Sequence, residues 1–117
     1  MITMPRETRF LEFVRLPSFE RTAKDVLSEE DIRELELDLL EEPRKGDVVR
    51  NTGGVRKVRA APEGRGKSGG ARVIYLYVEA REKIYLLLCY PKNEQDNLTP
   101  EQSRRIRALV AQLEAEE

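Results

Sequence analysis

The spacing of apolar positions changes along the chain, and each change marks an element. Phe-Leu-Glu-Phe-Val-Arg-Leu, Phe10 to Leu16, predicts an opening strand that Pro17-Ser18 ends. Ser18 can cap a short helix over residues 19–27, where Phe19, Ala23, Val26 and Leu27 fall at near-helical spacing. Ser28 begins a second helix; Glu29, Glu30 and Asp31 suit its positive start, and Ile32, Leu35, Leu39 and Leu40 form its apolar face. Pro43 closes it. The period then drops to 2: Val55 to Ala60 is a basic strand, a turn rich in glycine around Pro62 follows, and Arg72 to Val78 is β-branched and aromatic. After a turn at Glu79 to Glu82, Lys83 to Tyr90 is apolar enough to be a central strand. Thr99-Pro100-Glu101-Gln102 is a capping box with proline at the first helical position, and Ile106, Leu109, Val110 and Leu113 continue it as an i, i+3, i+4, i+7 stripe.

The predicted order is β-α-α-β-β-β-α, an α+β fold. Short connections between consecutive strands favour an antiparallel sheet, with the helices packed on one of its faces. A chain of 117 residues without repeat or linker is expected to form a single domain spanning 1–117.

Charge alters this neutral picture. Residues 1–44 hold 7 basic and 12 acidic groups, while residues 45–72 hold 8 basic and 2 acidic, so a formal net charge of −1 conceals a polarised molecule. Residues 52–72 contain six of the seven glycines and six basic side chains against one acid, Glu63. Arginines and lysines set among glycines let cationic heads and bare backbone amides converge on an anion, and phosphate matches the arginine fork best. The arrangement points to a nucleic acid.

Absences narrow the chemistry further. There is no histidine, which excludes histidine triads, histidine general bases and imidazole zinc sites. The one cysteine, Cys89, lies in the apolar run Tyr85 to Tyr90 and reads as a packing residue; no metal site and no cofactor are expected. No apolar stretch approaches the ~20 residues that span a bilayer, and the first residues lack a signal-peptide core. A cytoplasmic protein with no membrane partner is the expectation.

With these motifs in order, the chain resembles the RelE/HigB superfamily of bacterial toxins from type II toxin–antitoxin systems. The resemblance is carried by Gly46-Asp47-Val48-Val49, by Thr52-Gly53-Gly54-Val55-Arg56-Lys57-Val58-Arg59, by the run from Gly64 to Tyr75 and by Tyr90-Pro91-Lys92-Asn93-Glu94. It is most similar to the HigB-like branch. The glycine loop is not a nucleotide-binding phosphate loop, because Gly64 and Gly69 are not followed by lysine. The resemblance implies an endoribonuclease that cuts messenger RNA on the ribosome, silenced by a cognate antitoxin, expected to be a helix-turn-helix protein.

Metal-independent RNA cleavage uses the 2′-OH as nucleophile and needs a base, charge stabilisation at the phosphate and a proton for the leaving 5′-oxygen. The resemblance maps the family's catalytic basic positions onto Lys57, Arg59 and Arg72, with Lys92 at the end of the last strand as a fourth. Neighbouring cations would favour proton exchange at Lys57. Arg56, Arg65 and Lys67 are candidate RNA-binding residues; Tyr90 can stack a base or pack in the core. Asn93 replaces an arginine found in relatives, and the tyrosine that some relatives carry late in the last helix has no counterpart between Thr99 and Glu117. Two alternatives share these features: a ParE-like toxin that blocks DNA gyrase by protein contact, and a non-catalytic RNA-binding module.

Overall fold

The structure, a computed structural model, describes residues 10–60 and 70–116. Its elements are β1 (Glu12–Arg15), α1 (Pro17–Ala23), α2 (Glu29–Glu41), β2 (Asp47–Val48), β3 (Arg56–Ala60), β4 (Ala71–Val78), β5 (Lys83–Pro91) and α3 (Pro100–Ala115). The strands form one sheet in the order β1-β5-β4-β3-β2. β2 to β5 pair antiparallel, and β1 pairs parallel with β5, so the sheet is mixed rather than wholly antiparallel. The parallel edge arises because the chain reaches β5 from β1 only after both α1 and α2 and three strands have intervened. Among the described residues no helix is long and apolar enough to cross a membrane.

The α+β class stands, but the helices do not share one face. Alternation along β4 sends Val73 and Tyr75 into a cluster with Phe19, Ala23, Leu35 and Leu39 of α1 and α2. Ile74 and Leu76 enter a second cluster with Ile106, Val110 and Leu113 of α3. The central strands are apolar on both faces, and such a surface has to be covered twice. A bulge adjusts β5: Ile74 pairs with Leu88 and Tyr75 with Leu86, which leaves Leu87 as the extra residue.

Ser18 is not the cap predicted from the sequence. Leu16 holds the N-cap position of α1 without a side-chain cap, and Pro17 opens the helix. The hydroxyl of Ser18 donates to the Leu87 carbonyl at 2.6 Å, and Thr22 Oγ1 accepts the Cys89 N–H at 3.0 Å. β1 stops at Arg15, so these side chains satisfy the edge of β5 that no strand covers. Arg15 anchors β1 to α2 through a two-point contact with Glu36, Nε donating at 2.9 Å and Nη2 at 3.2 Å. Thr99 forms the predicted capping box, and Ser28, expected only to begin α2, forms a second one with Asp31.

Tyr75 fixes the turn between α2 and β2. Its buried hydroxyl accepts the Gly46 N–H at 2.9 Å and donates to the Pro43 carbonyl at 2.8 Å, and burial raises its pKa. Gly46 admits no side chain: a Cβ there would lie 2.7 Å from the Lys57 carbonyl oxygen. Tyr75→Phe leaves both main-chain groups buried without that partner and is expected to cost about 1–3 kcal/mol. Urea unfolding with an unchanged slope measures it, and a wild-type midpoint would show that the hydroxyl contributes nothing.

Candidate functional site

Lys57, Arg59 and Arg72 gather on the α3 side of the sheet. Val58 and Ala60 of β3 enter the cluster under α1 and α2, whereas Val55 enters the one under α3, so alternation places Lys57 and Arg59 with Val55. Arg72 shares that face with Ile74 and Leu76. The ladder sets Arg59 directly opposite Arg72, and Arg72 directly opposite Tyr90. Residues so paired have Cβ atoms within about 5.5 Å of each other, and like charges in that position destabilise a sheet. An anion held between the two guanidinium groups reverses the sign of the interaction. The register thus brings two forks to one place where a single phosphate can meet both.

A loop from β5 to α3 borders this surface. Lys57 Nζ donates to Asn97 Oδ1 at 2.9 Å. Lys92 Nζ lies 3.8 Å from Asp96 Oδ1, and the Tyr90 hydroxyl donates to the Asp96 carbonyl at 3.2 Å. The loop is in turn tied to α3: Gln95 Nε2 donates to the Asn97 carbonyl at 2.8 Å and to Gln102 Oε1 at 2.9 Å, the same oxygen that caps Thr99 N–H. The capping box thus does more than start a helix; it holds a loop whose adjacent residues Asp96 and Asn97 reach three candidate residues. Sequence reading missed these two residues, since a polar loop carries no signal of the strand it folds against.

The remaining candidates are distributed differently. Arg56 is on the opposite face, where its Nη1 donates to the Gly46 carbonyl at 2.7 Å and the Arg44 carbonyl at 3.2 Å, a brace for the turn before β2. Tyr90 is only 4 % exposed and packs in the cluster under α3, with burial raising its pKa; the core alternative is the one this conformation realises. Arg59 is exposed, while Lys57, Arg72 and Lys92 are half-buried. Arg72 Nη1 lies 3.3 Å from the Ala71 carbonyl oxygen. Arg65 and Lys67 lie outside the described residues. Cys89 is buried, which pushes its thiol up to about 12 and leaves it a packing group.

A groove of about 500 Å³ also runs between α2 and the edge of β3, where Lys45, Lys57 and Arg59 line it together with Asp31, Glu34, Asp38 and Asp47. The groove therefore adjoins the cationic residues of β3 and sets carboxylates of α2 across from them.

The comparisons agree with this architecture. The family model described as the RelE toxin of the RelE/RelB toxin–antitoxin system matches residues 14–117. A solved structure of the E. coli toxin RelE, an arginine-to-alanine double mutant in the free state, superposes with a TM-score of 0.54 at 18% sequence identity, covering 82% of this chain and 97% of that one. At that identity the likeness is one of fold.

Proposed function

The chain belongs to the RelE toxin family of toxin–antitoxin systems, and on that premise we propose that it is a ribosome-dependent endoribonuclease that cuts messenger RNA and stops translation. The observation that carries the reading is the Arg59–Arg72 pair, opposed across the β3–β4 ladder with Lys57 two residues along the same face. Two guanidinium forks opposed at that spacing are well suited to a phosphate.

In this scheme the 2′-oxygen attacks the adjacent phosphorus while its proton passes to Lys57. Arg59 and Arg72 hold the non-bridging oxygens as charge accumulates on them. The bond from phosphorus to the 5′-oxygen breaks, and Lys92 supplies the proton that the leaving oxygen takes up. The products are a 2′,3′-cyclic phosphate and a free 5′-hydroxyl, and no step calls on a metal. The hydrogen bond from Lys57 Nζ to Asn97 Oδ1 at 2.9 Å supports that role by fixing the amine on the face that carries Arg59 and Arg72. The ribosome supplies the ordered message, and a cognate antitoxin of the RelB type, expected as a helix-turn-helix protein encoded beside this gene, restrains the activity in the cytoplasm.

Induced expression without antitoxin tests the proposal. Growth arrest is expected, together with new 5′-ends inside translated messages. Unchanged growth with soluble protein present would defeat the toxin reading. Arrest with intact messages would turn it toward the gyrase-directed alternative.

A further inference from the structure

We propose that the RNA-binding surface does not end at the sheet but continues over α3, where Arg104, Arg107 and the neighbouring Arg50 form a second contact for the RNA backbone. The proposal rests on reading Lys57, Arg59 and Arg72 as the RNA site.

Two contacts place the second set of arginines in line with the first. Arg107 Nη1 donates to the Asn51 carbonyl at 2.7 Å, which brings the helix against the residue following Arg50. Three residues earlier, Arg104 occupies the same side of α3, about 4.5 Å nearer its start. That start is joined to the loop in which Asn97 holds Lys57. Both ends of this path lie on the face covered by α3, since Val55 of the sheet and Ile106, Val110 and Leu113 of the helix share one cluster. Gly53 lets the approach be close: it has φ +84°, and a Cβ there would come 2.9 Å from Val110 Cγ1.

Among the described residues, no carboxylate pairs with the arginines on this path. Glu101, the acid nearest Arg104 in the helix, is taken by Arg105 at 2.9 Å. Among the described residues Arg50 and Arg104 make no ion pair, and Arg107 bonds only a carbonyl, which orients its fork and leaves its charge in place. The α2 side is built otherwise: Arg33 pairs with Glu29, Lys45 with Asp38 and Arg44 with Glu79. All three residues on the α3 path are arginines, whose planar fork fits phosphate oxygens, and all three are exposed. No base-reading group accompanies them, so the contact is to phosphates and independent of sequence.

The test is the salt dependence of RNA binding. The probe is a 20-nucleotide, 5′-fluorescein-labelled oligouridylate carrying 2′-O-methyl groups, which bind without being cut. Each phosphate contact on a single strand contributes about 0.7 to the log–log slope, so Arg50→Glu with Arg104→Glu is expected to flatten it by about 1.4. The charge-matched pair Arg21→Glu with Arg33→Glu, on α1 and α2, is expected to keep the wild-type slope. Wild-type slope in the Arg50/Arg104 double variant overturns the second contact while leaving the sheet site intact. Equal flattening in both double variants overturns it as well, because net charge alone would then account for the effect. Salt-independent binding by the wild-type protein overturns the sheet site and this extension together. If the Arg50/Arg104 variant loses its antitoxin but keeps the slope, the surface is a protein interface and the RNA proposal fails.

Discussion

Replacing Arg72 with alanine is expected to slow message cleavage by about 10²–10³-fold, the loss typical of removing one preorganised donor from a developing oxyanion. The same change should alter stability far less than it alters rate. Arg72 is half-buried at the start of β4 and lies outside both hydrophobic clusters, so no core contact is emptied. Loss of rate without loss of stability separates a functional cation from a structural one. Arg72→Lys should recover only part of the rate, because an ammonium keeps the charge but not the two-point fork. Single-turnover cleavage on programmed ribosomes, alongside a thermal melt of each variant, makes the measurement. An alanine variant that cuts within tenfold of wild type, or one that unfolds at a markedly lower temperature, would place the phosphate clamp elsewhere.

Phe19→Ala is expected to cost about 3–5 kcal/mol, the range for emptying a buried aromatic site. Phe19 is a fully buried residue of α1 and belongs to the cluster that joins α1 and α2 to β3, β4 and β5. Domains of this size hold only about 5–15 kcal/mol in total, so the change removes a large share of the folded state's margin. The damage extends beyond packing. α1 also carries Ser18 and Thr22, whose hydroxyls satisfy the Leu87 carbonyl and the Cys89 N–H at the uncovered edge of β5. A helix that loosens exposes those groups as well. The urea midpoint should fall accordingly at constant slope; a loss below about 1 kcal/mol would mean that the core closes around the vacancy.

Much of the secondary structure was legible because local rules dominate it. The capping box at Thr99 involves residues three apart, Ser28 was read as the start of α2 from the acids after it, and the i, i+3, i+4, i+7 stripe of α3 depends only on helical geometry. The strands β3, β4 and β5 fell within about one residue of their predicted ends, as period 2 and β-branched content allow. Ser18 was misread for a related reason. A serine after a proline satisfies the local pattern of a cap, but a strand edge distant in the chain claimed its hydroxyl. The two-residue strand β2 carries too little pattern to announce itself, and it exists because Tyr75 and Arg56 hold the turn before it.

By itself the sequence determined the α+β element order apart from the short strand β2, the family resemblance and the concentration of cations and glycines between residues 45 and 72. These follow from residue type and near-neighbour spacing, which the chain carries whether folded or not. Tertiary structure decided the rest. Strand parity separated Lys57 and Arg59 from Arg56, and ladder register set Arg59 against Arg72; a slip of one residue would have exchanged the faces. Covering both apolar faces of the central strands put α3 opposite α1 and α2 rather than beside them. That placement brought Asn97 to Lys57, 40 residues away in the chain, and such a contact depends on packing that no local pattern encodes.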